Sequence, residues 1–291
     1  MVVIDQGFNG YRDIILPLAT QDSLVQRTVS VVAALHLATE RPDLLRPAEI
    51  GRSAIIARLR KDALSGQHNK IFNLSTWVTI ILLLVGETVT GTQEFVMLFA
   101  MLKSLVQHSG LLVDTSPAAC QFLLQQSQMF NLFTPPFLDS AHGTVALQER
   151  LDNYFGFMSY PAPVGSELWN ALAILRQAIY QARDLYLQET RNELSAADRI
   201  RSVESLRLLL VDINEDTPGM HAFVWVYFLA GAASSEPRHR EFFSHRLKLV
   251  YNRTRMRNIL VTLDTLEQIW CLPEGQNWTH CPAILGRVLV M

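Results

Sequence analysis

Apolar side chains recur along most of this chain at intervals of three and four, the spacing of one helix face. Between Trp77 and Gly86 the pattern saturates: only Thr79 carries a polar group. A segment apolar on every side reads as a helix buried all round or as a membrane span. This one is shorter than the roughly 17–25 residues a span needs, so it predicts the central helix of a water-soluble core. Asn73, Ser75 or Thr76 can cap its start, and Gly91 can end it. Glu87 closes the run. A charge there must surface, pair or face a cavity, and Arg12 or an arginine of the Arg238/Arg240 segment is the expected partner.

The same reading supplies the other elements. After the Tyr11–Ala19 lead-in, a helix from Asp22 or Ser23 to about Thr39 turns Leu24, Val25, Val29, Val32, Ala33, Leu35 and His36 inward. The next, with Pro47 in its first turn, buries Ile50, Ala54, Ile55, Leu59 and Ala63 and is closed by Gly66. Its Arg52, Arg58, Arg60 and Lys61 form a solvated face. Further helices are predicted from Thr92 or Gln93 to His108, ended by Gly110, and from Ser116-Pro117 to about Met129. Others follow over Thr144–Asn153, Leu168 to about Arg191 with Ser166 as its cap, Ile200–Ile213 opened by Ser195-Ala-Ala-Asp198, His221–Ala233, Pro237–Tyr251 and Asn258–Trp270. From Phe130 to Gly165 four prolines punctuate seven aromatic residues, too many apolar rings for a flexible linker; a lid or wall over a cavity is the expectation. No period-two alternation persists. The prediction is one all-α domain, residues 1–291, with roughly ten helices, an apolar central cavity and an irregular tail over 273–291.

Composition narrows the class. The chain has 291 residues, 49% hydrophobic and 18% charged, less charge than the usual quarter, with a mean hydropathy of +0.16. A formal charge of −2 argues against an extended nucleic-acid surface. Cys120, Cys271 and Cys281 show no C-x-x-C spacing, which speaks against a zinc cluster or a disulfide scaffold. Neither a leader nor a span is read from the sequence, so an intracellular, cytoplasmic protein is expected. No cofactor and no membrane partner are anticipated. Asn-x-Ser/Thr triplets at Asn73, Asn252 and Asn277 carry little weight without a leader.

Tyr11-Arg-Asp with Leu16-Pro-Leu-Ala19, Ala33-Ala-Leu-His-Leu37, Leu82-Leu-Leu-Val-Gly-Glu87 with Gly91, and Phe99-Ala-Met-Leu-Lys-Ser-Leu105 follow one another along the chain. Trp225 with Ala230-Gly231, then Arg238 or Arg240, and Ile269-Trp270 close the series. This order of landmarks resembles that of the fungal-specific transcription factor domain, the regulatory region of fungal zinc-cluster regulators. The likeness spans about residues 9–272. It implies a nuclear place if the chain serves in such a regulator, whose six-cysteine cluster is missing here. Without that cluster no nucleic-acid contact is expected of this chain alone, and a stand-alone protein on the same fold is the favoured expectation.

No P-loop, G-x-G-x-x-G, H-E-x-x-H or nucleophile-elbow motif occurs. His239 and His245 stand six apart, too far round for a metal pair, and read as surface residues; Glu215-Asp216 reads as a solvated turn. Polar groups set in apolar helices remain. His221 and Tyr227 are the candidate catalytic pair, as donors to a substrate carbonyl, and Trp77, Glu87, Trp169 and Trp225 are candidate ligand contacts; core packing is the competing reading for each. The functional expectation is an apolar small molecule bound in a helical pocket and cyclised without cofactor, in a Diels–Alder-type closure of secondary metabolism that gains from proximity and orientation alone. The alternative is a ligand-sensing or partner-binding regulatory domain without chemistry. A second copy of the chain is a further candidate partner.

Overall fold

The computed structural model describes residues 7–65, 71–108, 116–286 and 289–291. A lead-in coil of helix, Tyr11–Ile15 then α1 (Leu16–Ala19), precedes α2 (Ser23–Leu37), α3 (Leu45–Leu64), α4 (Leu74–Thr90) and α5 (Phe95–Gln107). Then come α6 (Pro117–Phe133), α7 (Ser140–Gln148), α8 (Glu167–Thr190) and α9 (Ala196–Leu210). The chain finishes with α10 (Val224–Ala232), α11 (Pro237–Thr254), α12 (Asn258–Trp270) and α13 (Pro282–Leu285). The structure is 76% helical, with no strand among the described residues, as the patterning predicted. No helix among them is long and apolar enough to cross a membrane.

Local chemistry sets most boundaries. The carboxylate of Asp22 accepts from the Leu24 and Val25 amides, and the Asn73 amide oxygen accepts from Thr76 N at 2.8 Å. Serines 116, 166 and 195 cap α6, α8 and α9 in the same way, each satisfying one orphan first-turn amide. Gly91 ends α4 in the left-handed region at φ 68°, its N–H reaching Glu87 O at 2.8 Å.

The helices share one apolar core running from Ile15 to Met291, built on two hubs. The first is α4, every residue of which from Thr76 to Val89 is buried, packed by α2, α5, α6 and α12. The second is α10, wholly buried and packed by α8, α11 and α12. Helix α12 touches both hubs, and α6 joins them through Trp77 Nε1, which donates to Ser127 Oγ at 3.0 Å, and through the Phe133–Trp225 ring contact at 5.3 Å.

Several expected faces are rotated. On α2, Ala33 and His36 are exposed, and Thr28 and Val31 take the inner positions. Thr28 fits there because its hydroxyl donates to Leu24 O at 2.7 Å. On α3, Ile50, Ala54 and Ala63 face out; Ala48, Gly51, Ile55, Ile56 and Leu59 are buried, and Arg52 turns inward. Helix α6 runs past Met129 to Phe133, where Pro135-Pro136 stops it. Helix α7 starts at Ser140, not Thr144, because Asp139 caps it through the His142 amide; α9 is capped by Ser195 as expected and turns helical directly after it, at Ala196, rather than at Ile200. The closures expected of Gly66 and Gly110 lie outside the described residues. In the tail, Trp278, Leu285, Leu289, Val290 and Met291 are buried.

His239, expected at the surface, is fully buried. Its Nε2 donates to Glu204 of α9 at 2.6 Å, while Arg207 holds the same carboxylate at 2.8 Å. Two donors thus hold the Glu204 carboxylate, while His239 Nδ1 has no partner among the described residues. Hydrogen bonds from Arg207, then from His239, push the Glu204 carboxyl down from 4.5 to about 2.

Two outcomes follow. Because the folded carboxyl of Glu204 is depressed, its stabilisation is complete above pH 4.5 and is lost as pH falls toward 2. Glu204→Gln should therefore flatten the acid limb of a stability–pH curve measured by urea unfolding; an unchanged limb would exclude this pair as its source. Gly91→Ala would place a Cβ 3.1 Å from Val261 Cγ2 and 3.2 Å from the Arg257 carbonyl carbon, at a φ unfavourable to alanine. A loss of about 1–3 kcal/mol is expected on denaturant unfolding.

Candidate functional site

Helix α8 is long enough to serve two surfaces. Its inner face, including Leu168, Ala171, Leu175, Ala178 and Ala182, joins the core. On an outer stripe at helical spacing stand Trp169, Leu172, Arg176 and Tyr180. Across from them, Met158, Ser159 and Tyr160 of the aromatic connection form the facing wall of an open groove of about 700 Å³. The connection is thus a packed wall: Phe130, Phe133, Phe137, Phe155 and Phe157 are buried, and Tyr154 and Tyr160 half-buried.

The start of α8 is fixed by the Ser166 cap, whose Oγ accepts from Trp169 N at 3.2 Å. The Trp169 side chain is left 42% exposed. Charges around the groove are already matched. Arg176 Nη1 lies 3.6 Å from Asp152 Oδ1, with its guanidinium 4.9 Å from the Phe155 ring centre. Tyr180 Oη donates to Asp152 at 3.0 Å, and Arg183 Nε stands 2.8 Å from Asp184. Burial, then the Asp152 hydrogen bond, hold the Tyr180 phenol above its ordinary value. The surface offers an indole and neutral hydrogen-bonding groups, and no uncompensated charge.

The other expected site residues are elsewhere. Trp77 is fully buried and bound to Ser127. Trp225 is fully buried against Phe133, its Nε1 without an acceptor among the described residues. Tyr227 is fully buried, with its ring 6.0 Å from that of Phe223 and its hydroxyl likewise unpartnered among the described residues. Burial raises the Tyr227 phenol, and Arg246 opposes the rise. Trp225 and Tyr227 are two positions apart on α10 and so face different ways. His221 sits half-buried in the short helical turn Met220–Phe223 that leads into α10. Neither the α8 groove nor a second groove of about 380 Å³ beside α7 is lined by His221, Tyr227, Trp77, Glu87 or Trp225.

Glu87 does pair, but with neither expected partner. Arg52 of α3 bonds its carboxylate, Thr92 Oγ1 donates at 2.9 Å, and the Glu94 amide at 3.0 Å. Arg52 also stands 2.6 Å from the Glu94 carboxylate. Burial pushes the Glu87 carboxyl up, and Arg52 and Thr92 pull it back. Arg52 therefore leaves the solvated face assigned to it, and Arg240 belongs to another part of the molecule. Of the groove residues, sequence patterning singled out Trp169 and missed Arg176 and Tyr180, although the spacing of 169, 172, 176 and 180 was available as a signal. Among the described residues, no three His, Cys, Asp or Glu side chains gather closely enough to hold a metal ion.

The family model described as the fungal specific transcription factor domain matches residues 1–137 and 165–282. No curated protein and no solved structure matches the chain. The family match covers most of the sequence and leaves out residues 138–164, which include the Met158–Tyr160 wall of the α8 groove. The chain belongs to the fungal specific transcription factor domain family.

Proposed function

We propose that this member of the fungal specific transcription factor domain family is a regulatory module that senses a neutral, flat, apolar small molecule in the α8 groove. The observation that carries the reading is Trp169. Trp77, Trp225 and Trp278 are buried, and Trp270 is half-buried with its Nε1 bound to Gly231 O. Trp169 alone among the tryptophans keeps a large exposed face, and it does so inside a groove. A flat ligand stacked there removes apolar area from water on both partners. Matched charges around the groove favour an uncharged ligand, since an ion would compete with pairs already made. Helix α8 packs on α9 and α10, so a ligand that fixes its outer stripe bears on the second hub. Such a module would act inside the cell, in the nucleus where it serves a regulator.

Cofactor-free cyclisation through His221 and Tyr227 draws no support from the geometry. A reaction of that kind needs a substrate beside the donor, and the Tyr227 hydroxyl is sealed in the core away from both grooves.

Nile red, a neutral flat dye, serves as the probe. Trp169→Ala should weaken its binding roughly tenfold, the loss of one aromatic stacking contact, while thermal unfolding stays near that of the parent because the indole is outside the core. Equal binding by the variant would remove the groove from consideration. Native mass spectrometry after incubation with fungal extract then tests the role: an unaltered bound compound supports sensing, and its time-dependent conversion would overturn sensing in favour of catalysis.

A further inference from the structure

The turn between α10 and α11, the end of α12 and the tail enclose a third groove of about 400 Å³, lined by Ser234, Arg240, Trp270, Gln276, Asn277 and Trp278 among others. We infer that this groove is a binding site for a small monocarboxylate, anchored by the guanidinium of Arg240. It is separate from the α8 groove and does not rest on the function proposed there.

Arg240 is half-buried and held on two sides. Its guanidinium lies 5.2 Å from the Trp270 ring centre, and its Nε donates to Ser234 O at 2.9 Å. Trp270 is itself fixed, because its indole N–H donates to Gly231 O at 2.9 Å. A guanidinium positioned on one edge and one face leaves its terminal N–H groups as a planar fork, the shape that takes a carboxylate through two parallel hydrogen bonds. Those groups are unclaimed by acid: no carboxylate among the described residues lies within ion-pair distance of Arg240. The buried acid of the groove, Glu189, is already held by Arg199 through Nε and Nη2. Glu274 is exposed at the rim.

Trp278 lines the groove with its ring, 94% buried (6% exposed) and packed against Tyr186 and Phe228. The tail wall is set by Asn277, whose side-chain amide donates to Glu189 O at 2.6 Å and Asn192 Oδ1 at 2.9 Å.

Charge and size narrow the ligand. The lining holds two arginines and two glutamates; Arg199 pairs with Glu189, which leaves one anchoring cation, Arg240, with the exposed Glu274 at the rim. That suits a single carboxylate better than a phosphate dianion. The volume fits a small organic acid, whose carbon skeleton can rest on Ile269 and Leu272.

Benzoate is the probe, followed by saturation-transfer NMR and by the shift in thermal unfolding. The wild-type protein should bind it, Arg240→Ala should weaken binding roughly tenfold or more, and Arg240→Lys should recover only part, since it keeps the charge and loses the fork. Trp169→Ala should bind benzoate like the parent, which separates this site from the α8 groove. Circular dichroism of both Arg240 variants checks that the fold is intact, and the lysine variant keeps the test decisive if the alanine variant unfolds. Undiminished binding in the variants, no saturation transfer in the wild type, or equally tight binding of inorganic phosphate would overturn the assignment.

Discussion

A carboxylate sits at the end of a helix that has no solvent-facing side, and the first half of the molecule is arranged to tolerate it. Taking Glu87 out of water costs several kcal/mol unless charge and hydrogen bonds replace its hydration. The replacement comes from both neighbours in sequence: Arg52 on α3, Thr92 and the Glu94 amide at the entrance to α5. One buried group thereby ties α3, α4 and α5 together. Arg52 also contacts Glu94, so the cation serves two acids. On this account Glu87 is a clamp within the fold, and a ligand contact is no longer needed to explain a charge at that place.

The second hub is arranged differently. Helix α10 is buried without any carboxylate; two of its carbonyls serve side chains that follow it, Gly231 O accepting from Trp270 Nε1 and Ala230 O from Ser234 Oγ. With α4 and α10 both fully packed, the surfaces able to meet other molecules lie around them. The grooves of α8 and of the α10–α11 turn are both made where regular helices meet irregular chain: the aromatic connection in one case, the tail in the other. Rigid helices hold the recognising side chains, and loops supply the walls.

Which features could be read in advance follows from the range of the interaction involved. Helix caps depend on residues three apart, so Asn73, Ser116, Ser166 and Ser195 were legible, and α12 begins and ends at Asn258 and Trp270 as the pattern indicates. Rotation of a helix depends on what packs against it. The apolar spacing on α3 fits two faces nearly equally, and the choice between Ile50 and Ile56 is made by α2 and by the demand of Glu87 for Arg52, 35 positions away in sequence. His239 was misplaced for the same reason, since its partner Glu204 lies on another helix. Of the α8 groove, Trp169 was named but its exposure was not foreseen. An indole at a helix start reads as core until the facing wall is known. Arg240 and Trp270 were both noticed, though their pairing across a groove depends on how the tail returns.

The central claim is that Arg52 and Glu87 stabilise the fold as a coupled pair, and a double-mutant cycle tests it most directly. Urea unfolding of Arg52→Met, Glu87→Gln and the double variant would be compared with the parent. Arg52→Met should be the more damaging, by about 3–5 kcal/mol, because it leaves Glu87 buried beside Glu94, whereas Glu87→Gln leaves Arg52 its second partner. The double variant should be markedly less damaged than the sum of the two. Additive effects, or single variants as stable as the parent, would contradict the clamp.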